Sequence, residues 1–96
     1  MTNLIETAQK SAAVAQVSAW KDRHYVTLTG ANARANGDRS AKIWIKGSVL
    51  TVEGGKGSYS SEFLASLETL RADLEAAGAA RVAAWTGSVD ATYTLS

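Results

Sequence analysis

The chain has no cysteine and no proline among its 96 residues, and it has a single histidine. Without cysteine there is neither a disulfide framework nor a thiolate metal site. No stretch approaches the roughly 20 consecutive apolar residues of a membrane span. The opening MTNLIETAQKSAAVAQ has no basic region leading into an unbroken apolar run, because Glu6, Gln9 and Lys10 interrupt it. It therefore does not read as a signal peptide, and the expected location is the cytoplasm. Average proline usage is about 5%; with none here, turns must rely on Gly, Asn, Asp and Ser.

What is present is an ordinary globular composition, with 46% apolar and 20% charged residues. The length suits one domain spanning residues 1–96, since two cores would not fit. The net charge of +1 conceals a division along the chain. Residues 21–57 carry seven basic side chains (Lys21, Arg23, Arg34, Arg39, Lys42, Lys46 and Lys56) against three acidic ones. Residues 58–96 carry two basic side chains against five acidic ones. A basic stretch of this kind is the usual electrostatic footprint of an acidic or polyanionic partner.

Residues 3–18 read as a helix. Asn3 followed by Glu6 resembles a capping box, and Leu4, Ile5, Ala8, Ala12, Ala15 and Ala19 recur at helical spacing. Residues 24–29 alternate as a strand, with Val26 and Leu28 on one side and Tyr25, Thr27 and Thr29 on the other. GANARANGDRS, residues 30–40, is a polar connection. Residues 42–46, KIWIK, and 49–53 form a hairpin about Gly47-Ser48. The clearest element is a helix over 60–77, where Phe63, Leu67, Leu70, Leu74 and Ala77 line one face and Gly78 ends it. Strands over 81–85 and 89–95 complete the order α-β-β-β-α-β-β. This is an α+β fold, a largely antiparallel sheet packed against two helices. The helix over 60–77 suits a crossover between strands 49–53 and 81–85.

Three motifs bear on function. VEGGKGSYSSEF, residues 52–63, places a glycine-rich turn between a strand and a helix. It fails the phosphate-binding pattern G-x-x-x-x-G-K-[S/T], because Leu50 stands at the leading glycine and Gly57 follows Lys56. It also has Ser60 where a dinucleotide fingerprint needs its third glycine. The turn is read as a plain connection with Ser58 or Ser60 capping the helix, leaving weak anion binding by Lys56, Gly57 and Ser58 as its functional reading. His24 has no nucleophile or metal-ligand context, so no enzyme, metal or cofactor is expected.

The third motif is basic and aromatic. Lys42, Trp44 and Lys46 share one strand face and Tyr25 occupies the matching face of strand 24–29. Arg23 and the loop residues Arg34 and Arg39 lie nearby. Aromatic rings interleaved with cations suit either stacking and phosphate contact on single-stranded nucleic acid or a hot spot for an acidic protein surface. The competing reading is structural: helix 3–18 covers this face and makes Tyr25 and Trp44 core residues.

In size and in its lack of a catalytic constellation, the chain resembles small phage or prophage accessory proteins, including the inhibitors of bacterial immunity called anti-CRISPR proteins. That resemblance implies a single domain that works by binding a protein or nucleoprotein target. The leading expectation is a non-enzymatic binding module docking residues 23–46 on such a target. Direct binding of single-stranded DNA or RNA is the alternative. A homo-oligomer pairing the acidic helix face with the basic sheet is a further option, and no membrane partner is expected.

Overall fold

A computed structural model describes residues 3–29, 41–54, 59–84 and 89–95. Among these the order is α1 (Leu4–Lys10), β1 (Val14–Trp20), β2 (Arg23–Leu28), β3 (Lys42–Lys46), β4 (Val49–Glu53), α2 (Ser61–Ala76), β5 (Ala80–Ala84) and β6 (Ala91–Thr94). The strands form one sheet in the order β1-β2-β3-β4-β6-β5, every neighbouring pair antiparallel. The α+β class expected from the sequence is the class observed. Because β6 lies between β4 and β5 and runs against both, β4 and β5 point the same way without touching. α2 therefore makes a split crossover instead of linking neighbouring strands.

The expected helix over 3–18 is corrected. It begins as expected: the Asn3 side chain accepts a hydrogen bond from the Glu6 amide at 2.8 Å. It stops at Lys10. Ser11 turns extended (ψ 132°) and donates its hydroxyl to the Asp73 carboxylate of α2 at 2.6 Å. The next commitment is to the sheet, since the Thr29 amide donates to the Ala13 carbonyl at 2.8 Å. From Val14 the chain is a strand paired with β2 through a turn at Lys21-Asp22. Alanine is the strongest intrinsic helix former and is depleted in strands, but propensity is a weak prior, and here the tertiary ladder with β2 overrides it.

The remaining elements match their patterns within a residue or two. Ser60 caps α2 by accepting from the Phe63 amide at 3.1 Å. The other end is a Schellman motif: the Ala79 amide bonds to the Leu74 carbonyl and the Gly78 amide to that of Glu75, with Gly78 at φ +99°.

Burial divides the sheet into two faces. Val26, Leu28, Ile43, Ile45, Leu50, Val52, Ala91 and Tyr93 form one cluster with Leu4 and Ala8 of α1 and Phe63, Leu70 and Leu74 of α2. Both helices therefore pack on the same side. Fully burying a side chain of the size of Ile45 or Leu50 stabilises the fold by about 1.5–3 kcal/mol. The opposite face has no helix on it among the described residues.

Candidate functional site

Cross-strand register assembles the open face row by row. Ser18 on β1, Tyr25 on β2, Trp44 on β3, Thr51 on β4 and Thr92 on β6 are successive partners. Directly opposed residues in a ladder share a face, so Tyr25 and Trp44 stand side by side, pointing away from the helices. Neither belongs to the core cluster, and both are half-buried. The structural reading in which a helix covers them fails, because the chain expected to form that helix is the adjacent strand β1.

Charges and rings interlock on this face. The Arg23 guanidinium lies 5.1 Å from the Trp44 ring centroid. The Lys21 ammonium lies 4.5 Å from that of Trp20, and the Trp20 and Tyr25 rings are 6.4 Å apart at 52°. Lys46 pairs with Asp22 at 3.2 Å. That hydrogen bond, with the positive charge of Lys46, holds the Asp22 carboxyl below its ordinary pKa. Lys42 faces Glu53 across the β3–β4 ladder. Two of the four described cations near this face thus have an acidic neighbour.

Among the described residues β2 and β3 pair at two positions, His24 with Ile45 and Tyr25 with Trp44. A cleft of about 250 Å³ lies along these two strands. Tyr25, Thr27 and Lys42 line it together with core residues, including Ile43 and Phe63.

The structure therefore gathers Arg23, Tyr25, Lys42, Trp44 and Lys46 onto one face. Arg34 and Arg39 lie outside the described residues, as do Lys56, Gly57 and Ser58. Thr29 leaves the group, since its hydroxyl shares a hydrogen bond with Ser66 of α2 at 2.8 Å. Trp20, 59% exposed, and Lys21 join it, and sequence reasoning missed both. The available signal was the alternation of Gln16, Ser18 and Trp20 ahead of the polar pair Lys21-Asp22, hidden by the alanine stripe.

His24 sits on the helix side of the sheet, opposite Ala19 and Ile45. Among the described residues no cluster of three His, Asp or Glu side chains is placed to hold a metal. Each buried side-chain polar atom there has a hydrogen-bond partner. No helix among them is long and apolar enough to cross a membrane. No family model, curated protein or solved structure matches the chain.

Proposed function

We propose that the chain is a non-enzymatic binding module whose open sheet face docks on an acidic patch of a protein partner. The observation that carries this is the balance of the face. Three aromatic rings and Arg23 dominate it, while Lys46 and Lys42 each have an acidic neighbour. A surface tracking a phosphate backbone gains by leaving its cations free to displace counterions. A protein hot spot instead concentrates Trp, Tyr and Arg, with charge thinned at the centre. The cleft between β2 and β3 suits an anchoring side chain from such a partner. A phage-type inhibitor, an anti-CRISPR protein among them, is one form such a module takes.

The test combines capture with competition. Tagged wild type, Trp44→Ala and an Arg34/Arg39/Lys42/Lys46→Glu variant are used to pull proteins from a bacterial lysate for mass spectrometry. In parallel, each is titrated against a single-stranded oligonucleotide at low and high salt. The proposal expects one purified target to bind wild type directly and to be lost with both variants. Oligonucleotide binding that falls steeply with salt and requires Trp44, with no such protein target, would replace it with direct nucleic-acid binding.

A further inference from the structure

We propose that β1 is a self-association edge, where two copies of the chain pair antiparallel about a two-fold axis through Ser18. Their six-stranded sheets then become one continuous sheet. The proposal does not rest on the docking reading: its main element is the backbone edge of β1, which Ser18 and Trp20 of the open face border.

Among the described residues β1 and β5 are the two ends of the sheet, and they are built differently. An edge strand exposes unpaired backbone groups, and soluble proteins blunt it by shortness, charge, proline or a bulge. β5 is five residues long, carries Arg81, and is broken by a register shift between Arg81 and Ala83. β1 is seven residues long and contains neither a charged residue nor a proline. Its one irregularity, between Val14 and Gln16, leaves Gln16 through Trp20 in unbroken register. Ala15, Gln16, Ser18, Ala19 and Trp20 are all exposed.

The same features select a second copy as the occupant. A closed two-fold contact must be self-complementary. Antiparallel pairing centred on Ser18 sets Ser18 against Ser18, Gln16 against Trp20 and Val17 against Ala19 of the second copy. No like charges are opposed, which would destabilise a ladder. An acidic peptide would find no cation on this strand. The pairing also keeps the sheet's sidedness: Val17 and Ala19 stay on the helix side, and Gln16, Ser18 and Trp20 stay on the open side. The exposed Trp20 ring gains the apolar stem of Gln16, and the two open faces end up on the same side of the joined sheet.

Sedimentation from low micromolar to near-millimolar concentration tests this on the wild-type chain, with Ser18→Lys as the comparison and circular dichroism to verify its fold. The expected result is a concentration-dependent dimer that Ser18→Lys weakens several-fold or more, because two ammonium groups then meet at the axis. The chain has no cysteine, so Ser18→Cys and Ala80→Cys give single-site crosslinking at the two edges even if Ser18→Lys fails to fold. A short thiol crosslinker should yield covalent dimer at Ser18→Cys and little at Ala80→Cys. A wild-type monomer throughout the range, a dimer indifferent to Ser18→Lys, or crosslinking as good at Ala80→Cys would each overturn the proposal.

Discussion

Arg23 holds its guanidinium 5.1 Å from the centroid of the Trp44 ring, so the cation that begins β2 and the central aromatic of the open face form one unit. A cation over an exposed ring contributes about 0.5–1 kcal/mol. Its larger consequence is that the planar group and the indole stand together on the face proposed to dock.

Trp44→Ala is therefore expected to lower affinity for the docked partner by about 2 kcal/mol or more, as hot-spot residues do. Arg23→Lys should also weaken binding, because an ammonium keeps the charge but loses the planar fork and the stacking. Calorimetric titration against the captured target checks both. Equal binding by wild type and Trp44→Ala would sink the docking surface.

Asp22 restrains the face by pairing with Lys46. Asp22→Asn should speed association with an acidic partner at low salt, and the gain should vanish as salt screens the field. Stopped-flow association rates at two ionic strengths measure this. The Asp22 carboxyl is held below its ordinary pKa by Lys46. Its contribution to stability is therefore present above the unfolded-state value and lost as pH falls through the folded one. Asp22→Asn should remove that acid-side dependence.

Tyr93 sets an alkaline limit. Burial raises its phenol above the ordinary value of 10.0, partly opposed by the positive charges of Arg81 and Arg71. Below that value neither folded nor unfolded chain ionises it. As pH rises past it, the unfolded chain ionises first, so stability falls until the folded-state value is reached. Urea denaturation across this range should show the decline in wild type and its loss in Tyr93→Phe.

Gly54→Ala should destabilise by about 1–3 kcal/mol, the usual effect of overpacking. An added Cβ would lie 2.7 Å from the Ala41 Cβ and 3.0 Å from its Cα, where backbone cannot swing away. The same shift would disturb the Gly54 amide's hydrogen bond to Asp90, 2.8 Å long. Leu74→Ala, which empties a position 1% exposed beneath α2, should cost about 2–5 kcal/mol. Thermal and urea melts check both, and a neutral Gly54→Ala would mean that the chain can yield at Ala41, just ahead of β3.

Legibility in the sequence followed the strength of local signals. α2 carried a cap, an apolar stripe and a terminal glycine, all local features that agree with one another. KIWIK and VLTVE carried strict alternation about a glycine turn, and both strands fall on their expected residues. That alternation also placed Trp44 and Lys42 on the side away from Ile43 and Ile45. The alanine-rich stretch after Ser11 had no such agreement. Its small side chains satisfy a helical stripe and an exposed strand equally well, so periodicity there carried little information.

Local chemistry thus settled the α+β class, the better-patterned elements and the pairing of rings with cations on common strand faces. Long-range contacts settled the rest. The Ser11 hydroxyl found Asp73, 62 residues away, and the Ala13 carbonyl found the Thr29 amide; together they turned an expected helix into β1. That change leaves the open face without a helix among the described residues and brings Trp20 beside Tyr25. It also puts an uncharged strand at the sheet's edge. A covering helix and a neighbouring strand are alternatives of similar local energy, and only partners distant in sequence could choose between them.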